Sequence, residues 1–211
     1  MTRGQTRALT DLWPVYGVPE PQESEVLLDL DTIFERKADV VLEIGFGNGT
    51  SLAQMAEATP ELNFLGIEVH RPGVGSLLLQ IEKHELTNLK VSQSDAVDVL
   101  KHQIGDAALS RVQVFFPDPW HKKRHHKRRL INPDFIALVA RKLNRGGVLH
   151  LATDWQPYAE HMLEVLEQSN DFTNTVESYA PKPDYRPDTK YEDRGRRLDH
   201  AVFDLVFTCT S

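Results

Sequence analysis

The sequence is poor in cysteine and has no long apolar run. Cys209 is the only cysteine among the 211 residues, so no intrachain disulfide is possible. A lone thiol is typical of proteins from a reducing compartment. No segment approaches the roughly 18 consecutive apolar residues of a membrane helix, and the polar residues 1–10 do not resemble a signal peptide. These features predict a cytoplasmic protein, and the length suits one domain.

Positive charge is scarce outside one segment. The 24 Lys and Arg residues face 31 Asp and Glu, a formal net charge of -7 that by itself argues against a nucleic-acid partner. Six of the 24 lie in His121 to Arg129 (HKKRHHKRR), the basic segment, which has no acid. Without them, 18 basic residues would face 31 acids. Such a concentration predicts a docking surface for a polyanion, and the alternative is a solvated loop.

Hydrophobic periodicity predicts strands that alternate with helices. After an irregular N-terminal arm at 1–35, we expect a domain at 36–211. The predicted strands are 39–44, 62–68, 89–92, 111–116 and 148–153, and the helices are 50–58, 73–86, 97–104, 133–143 and 156–169. This alternation predicts an α/β fold with a mostly parallel, doubly wound sheet. The last two strands, 172–178 and 201–209, have no helix between them and must pair antiparallel.

A glycine-rich turn follows the first predicted strand. The residues Glu43 to Gly49 read EIGFGNG and form the glycine turn. Nucleotides bind at such strand–turn–helix junctions. A dinucleotide-binding motif would place a glycine or alanine where Thr50 stands, and no phosphate-loop lysine follows. The spacing resembles the first motif of S-adenosylmethionine methyltransferases, whose cationic ligand suits an anion such as Glu43.

Acidic residues also follow the next two strands. Glu68 closes the second strand, where a carboxylate accepts hydrogen bonds from ribose hydroxyls in both cofactor classes. Asp95 follows the third strand and is a candidate acceptor for an adenine amino group. Asp95 is equally suited to cap the next helix, and the two roles are compatible.

The fourth strand leads into Pro117-Asp118-Pro119-Trp120 and then into the basic segment. The two prolines hold Asp118 away from helical geometry, so it is either a fixed carboxylate at the site of chemistry or part of a plain rigid turn. Trp120 either stacks on a base or anchors the loop. Asp154 ends the fifth strand as a second candidate carboxylate, with helix capping as the alternative. We expect the basic segment and the glycine turn to open onto one crevice.

The roles of two further features, a long polar stretch and a group of histidines, have alternative interpretations. The polar stretch 179–199 is long enough to suggest a lid or binding loop, with a disordered linker as the alternative. The three histidines of the basic segment stand among Lys and Arg, which repel cations, so we predict no metal site.

Four motifs in order are similar to one known family. They are DVVLEIGFGNG, GIEVHRPG, FFPDPWHKKRHHKRR and TKYEDRG. Together they resemble the bacterial tRNA (guanine-N7)-methyltransferases, the TrmB family, from about Arg3 to the final strand. The resemblance implies a Rossmann-like class I methyltransferase fold with a seven-stranded sheet whose final strand is antiparallel. It also implies S-adenosylmethionine as cofactor and a guanine in the variable loop of tRNA as substrate.

The resemblance also implies residue roles. The cofactor-binding residues are Glu43, Gly45, Gly47, Glu68, Asp95 and Asp118, of which Asp118 is the candidate catalytic residue. The substrate-binding residues are Lys122, Asp154, Thr189, Lys190, Tyr191 and Glu192, and the RNA-binding residues are Arg124, His125, His126, Lys127, Arg128 and Arg129. One position departs from the family pattern: Asp199 stands where a glycine is expected, which leaves the local loop geometry open.

Two rival functions remain at this stage. A small-molecule methyltransferase or a Rossmann-type oxidoreductase explains the glycine turn but leaves the basic segment without a role. A non-catalytic RNA-binding protein with the same fold explains the basic segment, and it would show no affinity for S-adenosylmethionine. The sequence leaves open the oligomeric state, monomer or homodimer, and the subset of tRNAs that is modified.

Overall fold

The computed structural model describes residues 1–21, 27–187 and 201–211, in which helices and strands alternate. The chain forms two compact units, Met1–Gly105 and Asp106–Ser211. The first contains α1 (Arg3–Asp11), α2 (Trp13–Tyr16), α3 (Leu30–Phe34), β1 (Val40–Ile44), α4 (Thr50–Ala58), β2 (Asn63–Ile67), α5 (Arg71–Lys83), β3 (Leu89–Ser92) and α6 (Ala96–His102). The second contains β4 (Leu109–Phe115), a 3-10 helix (Lys123–Arg128), α7 (Pro133–Lys142), β5 (Leu143–Thr153), α8 (Gln156–Glu167), β6 (Phe172–Asn174) and β7 (Phe203–Cys209).

The strands of the described residues form one seven-stranded sheet in the order β3-β2-β1-β4-β5-β7-β6. β2 pairs in parallel with β1 and β3, and β4 pairs in parallel with β5. The final strand, β7, runs antiparallel to both β5 and β6. The predicted mostly parallel sheet with an antiparallel final strand is therefore confirmed.

In the first unit, β1 and β2 are buried along their whole length. Burial on both faces is what parallel strands show when helices cover the sheet on either side. It places the ends of these strands, rather than their faces, next to the solvent. The turns that follow β1, β2 and β3 are therefore the places where this unit presents polar groups.

The prediction of an irregular arm at 1–35 was wrong, because the arm contains α1, α2 and α3. A capping box starts α1, with the Thr2 side chain accepting from Gln5 N and the Gln5 side chain accepting from Thr2 N. The helix packs on α5, where Gly75 allows close approach: a Cβ there would lie 2.9 Å from Gln5 Cβ. Val18 N then donates to Val91 O at 2.8 Å and extends the sheet beside β3. The boundary at residue 35 stays a prediction.

In the second unit, β5 begins five residues earlier than predicted. We expected Gly146 and Gly147 to end the preceding helix before a strand at 148–153, but β5 starts at Leu143 and includes both glycines. The pairing with β4 shifts register here, from Leu109 with Leu143 to Arg111 with Val148. A bulge absorbs the glycines without ending the strand. The predicted cap of α7 is confirmed, since the Asn132 side chain accepts from Phe135 N at 3.0 Å.

Candidate cofactor and substrate sites

The glycine turn presents open backbone at two of its glycines. Gly45 and Gly47 have φ of 76° and 61°, a region that residues with a Cβ rarely adopt. A Cβ built on either one would have no heavy atom within 4 Å. Behind the turn, a Cβ on Gly73 of α5 would lie only 2.2 Å from Gly47 O. The turn is thus packed tightly against α5 on one side and accessible to a ligand on the other.

Glu68 is held directly against the glycine turn. Its carboxylate accepts from Gly47 N through Oε2 and from His70 N through Oε1, both at 2.9 Å. These two bonds fix the side chain after β2 and leave further lone pairs on both oxygens. The carboxylate is therefore oriented, and it can still accept from the hydroxyls of a ribose.

The other two predicted cofactor residues of this unit differ in exposure. Glu43 lies on β1 and is 2% exposed. Asp95 is exposed and caps α6, where its Oδ1 accepts from Val97 N at 2.8 Å. The predicted capping role is confirmed, and it leaves Oδ2 available. Asp95 also borders a cavity of about 470 Å³ lined by Glu20, Pro21, Gln93, Ser94, Asp98 and His102.

The charges around the glycine turn fit S-adenosylmethionine better than a dinucleotide. Glu43, Glu68 and Asp95 supply carboxylates, and the stretch 43–51 contains no Lys or Arg. A pyrophosphate would meet anions here, whereas a ligand with a positive sulfonium and ammonium group and no phosphate would meet complementary charge. The open backbone at Gly45 and Gly47 also provides the close approach that such a ligand needs.

In the second unit, β4 ends in a strained turn at residues 116–120, the β4 turn. Phe116 and Trp120 have φ of 52° and 48°, which is unusual for bulky residues. Phe116 N donates to Ala152 O at 2.8 Å and keeps the start of the turn on the sheet. Between two prolines, Asp118 is exposed and forms no hydrogen bond with another described residue. The prolines and the strained backbone, rather than side-chain bonds, set its position.

A buried tyrosine lies near Asp118. Tyr158, at the start of α8, is fully buried, and its hydroxyl accepts from Ile131 N at 3.4 Å. Burial raises the pKa of Tyr158 to about 12, and the negative charge of Asp118 contributes to the rise. The Tyr158 side chain is therefore neutral at any physiological pH and holds a fixed position beside the β4 turn.

The basic segment folds mainly as the 3-10 helix, which the sequence did not predict. Lys122, Lys123, Arg124, Lys127 and Arg128 are exposed. Trp120 anchors the segment, because the His125 ring contacts it edge to face at 5.9 Å and the Arg128 guanidinium lies 5.0 Å from its ring centroid. This supports an anchoring role for Trp120, and it leaves five cations on the surface.

Arg129 differs from the other cations of the basic segment. It is only 4% exposed, donates through Nε to Pro119 O at 3.0 Å, and lies 4.7 Å from the Tyr158 ring centroid. Burial lowers the pKa of its guanidinium. These contacts tie the β4 turn to α8, so they point to a structural role rather than to the predicted RNA contact.

Asp154 and Trp155 form a second group at the end of β5. The suggested capping role of Asp154 is absent, since Trp155 is the N-cap residue of α8 and no side chain caps that helix. Asp154 is half-buried and forms no hydrogen bond within the described part of the chain. Trp155 is 36% exposed, and its ring meets that of His121 edge to face at 4.4 Å. An acceptor and an aromatic surface thus stand side by side.

A buried polar cluster, which the sequence did not predict, joins β5, β7 and the segment before residue 188. His150, Arg186 and Asp204 are all at most 3% exposed. Asp204 Oδ1 contacts His150 Nε2 and Arg186 Nε, each at 2.7 Å, and Oδ2 accepts from Arg186 Nη2 at 2.9 Å. The Tyr185 hydroxyl lies 3.0 Å from His150 Nδ1. Alternation along a strand marks such positions as inward-facing but does not identify their partners.

Burial and pairing decide the charges in this cluster. Burial lowers the pKa of His150 despite the carboxylate beside it, so the imidazole is neutral. Burial would raise the pKa of Asp204, but the hydrogen bonds from His150 and Arg186 outweigh it and the net shift is downward. The cluster therefore holds one buried ion pair between Arg186 and Asp204, supported by a neutral histidine.

The remaining predicted substrate residues fall partly inside and partly outside the described residues. Lys122 is exposed at the start of the basic segment. Thr189, Lys190, Tyr191 and Glu192 lie outside the described residues, as does Asp199. The contact between Trp155 and His121 was not predicted from the sequence. The position of Trp155 directly after Asp154, an acid at the end of a strand, was a signal that could have indicated it.

Comparison with known proteins identifies the family. A family model described as "Putative methyltransferase" matches residues 37–205. The tRNA (guanine-N(7)-)-methyltransferase of Methylobacillus flagellatus is 56% identical over 98% of this chain and 86% of its own length. The enzyme of the same name from Shewanella oneidensis is 54% identical over 98% of this chain and 87% of its own. This chain belongs to the tRNA (guanine-N(7)-)-methyltransferase family. The predicted family is confirmed.

Solved structures agree on the fold. The 16S rRNA methyltransferase KamB matches with a TM-score of 0.66 and 15% identity, over 88% of this chain and 95% of its own. TrmN from Thermus thermophilus matches with a TM-score of 0.58 and 15% identity, over 85% of this chain and 47% of its own. At these identities the likeness shows the fold alone, which is the Rossmann-like fold of class I methyltransferases. The predicted fold class is confirmed.

The described residues contain neither a membrane-spanning helix nor a cluster suited to a metal ion. Among residues 1–21, 27–187 and 201–211, no helix combines the length and apolar character needed to cross a bilayer. The same residues contain no cluster of three or more His, Cys, Asp or Glu side chains arranged to hold a metal ion.

Proposed function

We propose that this protein is an S-adenosylmethionine-dependent tRNA methyltransferase that transfers a methyl group to N7 of a guanine in the variable loop of tRNA. The observation that carries the proposal is the 56% identity, over 98% of the chain, to a tRNA (guanine-N(7)-)-methyltransferase. The glycine turn, the paired carboxylates and the exposed basic segment support it independently. Because tRNA is a cytoplasmic molecule in bacteria, we also propose a cytoplasmic location.

The cofactor roles divide between the strand ends. Glu68, already oriented by two backbone bonds, accepts from the ribose hydroxyls. Asp95 accepts from the adenine amino group through the oxygen that does not cap α6. Glu43 contributes negative charge near the cationic end of the ligand, and the open backbone at Gly45 and Gly47 lets the ligand approach. Asp118 is a further proposed cofactor contact, and the family resemblance is what supports it.

The reaction requires little proton transfer by the protein. S-adenosylmethionine supplies an electrophilic methyl group, and guanine N7 carries an in-plane lone pair and no proton. No general base is therefore needed, and positive charge only moves from sulfur to the purine. Most of the rate enhancement then comes from orienting the two reactants, with a smaller electrostatic contribution.

Orientation of guanine falls to the carboxylates that lack partners in the second unit. Asp118 and Asp154 are the candidates to accept from the guanine N1–H and amino group, which would select guanine and aim N7. Trp155, beside Asp154, offers an exposed face on which the base can stack, and such contacts contribute about 1–3 kcal/mol per base. Lys122 and the exposed cations of the basic segment bind the phosphates, which positions the tRNA without reading its sequence.

The test is incubation of the protein with radiolabelled S-adenosylmethionine and unmodified tRNA, followed by nucleoside analysis. The expected product is 7-methylguanosine alone. A different methylated nucleoside, or none, would contradict the proposed function.

Asp118→Asn tests the catalytic assignment. The substitution keeps the size of the side chain and replaces one acceptor oxygen with a donor, so we expect kcat to fall more than tenfold. Asp134→Asn, a change at another exposed carboxylate, is the matched control and should leave kcat unchanged. Turnover by Asp118→Asn within a factor of two of wild type would remove Asp118 from the site.

A further inference from the structure

The buried cluster of the second unit lies next to the β4 turn. Arg186 uses one edge of its guanidinium for both carboxylate oxygens of Asp204. Its guanidinium carbon lies over two rings at the end of β4, 5.7 Å from the Phe115 ring centroid and 6.0 Å from that of Phe116. One side chain therefore links β7 to the last residue of β4 and the first residue of the turn.

Phe116 needs such support because its backbone is strained. A positive φ of 52° at a bulky residue is strained and persists only when the surroundings enforce it. The hydrogen bond from Phe116 N to Ala152 O fixes the backbone on one side. The Arg186 guanidinium lies over the Phe116 ring on the other side.

The composition of the cluster argues against a purely stabilising role. A buried ion pair is often no more stabilising than apolar residues of the same volume. Arg186 instead contributes a defined geometry. Its planar guanidinium donates two parallel hydrogen bonds, which fix both its orientation and its distance relative to Asp204. His150, which donates from Nε2 and accepts from the Tyr185 hydroxyl at Nδ1, in turn orients Asp204.

We propose that Arg186, held by Asp204, is a positioning residue that acts through Phe116 to aim Asp118 at the substrate. Asp118 lies two residues beyond Phe116 and has no side-chain hydrogen bond of its own, so its direction follows from the backbone of the β4 turn. The proposal rests on the proposed function for the role of Asp118 in methyl transfer. Arg186 itself is buried and acts through these contacts.

A double-mutant cycle tests this link. Arg186→Lys keeps the charge and loses the planar fork. We expect kcat to fall about tenfold while KM for tRNA stays within a factor of two, because the basic segment is untouched. In an Asp118→Asn background the same change should have less than a twofold effect, because the group that Arg186 positions no longer functions. Equal losses in both backgrounds would mean general support of the fold and would overturn the proposal.

Phe116→Leu provides a second variant that leaves the buried ion pair intact. It removes the ring against which Arg186 packs, so we expect the same fall in kcat and the same dependence on Asp118. Full activity of Phe116→Leu would overturn the proposal even if Arg186→Lys failed to fold.

Hydrogen exchange separates this proposal from the proposed function. In Arg186→Lys, protection of the Phe116 amide should fall at least tenfold, while that of Val139 in α7 should stay unchanged. If the variant shows this loss of protection relative to the wild type, but the wild type forms no 7-methylguanosine, the proposed function is refuted and the positioning link stands. Unchanged protection at Phe116 would refute the link.

Discussion

The basic segment should contribute to tRNA affinity through its exposed cations and not through Arg129. Lys123 and Lys127 are exposed on the 3-10 helix, so the double variant Lys123→Ala, Lys127→Ala removes two phosphate contacts. Each such contact contributes about 0.7–0.9 to the slope of log K against log salt concentration. The variant should therefore lower the magnitude of that slope by about 1.4–1.8.

The magnitude can be restated at fixed salt concentrations. Raising the salt fourfold, from about 50 to about 200 mM, should reduce the affinity advantage of the wild type over the variant by about tenfold. The assay is a filter-binding or fluorescence titration with unmodified tRNA at five salt concentrations. Lys83→Ala, Lys101→Ala makes the same change of charge at two exposed lysines outside the basic segment and should leave the slope unaltered.

Arg129→Ala should behave in the opposite way. The loss of its bond to Pro119 O and of its contact with Tyr158 should lower the free energy of unfolding by about 2 kcal/mol. The salt slope should not change beyond error, because a buried guanidinium contacts no phosphate and therefore releases no counterion from the tRNA. An unchanged slope for the lysine double variant, or a lower slope for Arg129→Ala in a fully folded protein, would refute this reasoning.

Three further predictions concern the cofactor turn, the aromatic surface and the buried tyrosine. Gly47→Ala should weaken S-adenosylmethionine binding at least tenfold in calorimetry, whereas Gly146→Ala, with a φ of 83° and equally open space, should impose similar backbone strain without that loss. Trp155→Ala should raise KM for tRNA about tenfold through lost stacking, and Trp155→Phe should retain most of the affinity; equal KM values would exclude the stack. Because burial raises the pKa of Tyr158 to about 12, its contribution to stability is complete below pH 10 and is lost as the pH rises from 10 to 12. Tyr158→Phe should therefore reduce the alkaline loss of stability by about 2–3 kcal/mol, and identical pH profiles of the unfolding midpoint would contradict the prediction.

Much of the fold followed from local patterns. The bounds of α4 and β3 match the predicted ranges 50–58 and 89–92, because alternation, helical spacing and glycine breaks are properties of neighbouring residues. The errors arose where distant contacts override local propensity. Prolines near residues 14–21 suggested irregular chain, yet α1 is stabilised by packing on α5. Gly146 and Gly147 suggested a break, yet the pairing of β5 with β4 absorbs them.

The sequence by itself determined the family, the α/β order and the strand-end carboxylates, since motif spacing and periodicity are properties of the linear sequence. It did not determine which charged residues reach the surface. Only the tertiary structure separated buried Arg129 from its exposed neighbours in the same charge run. Only the tertiary structure brought His150, Arg186 and Asp204 together, because burial and pairing between residues 18 to 54 positions apart depend on the packing of whole strands.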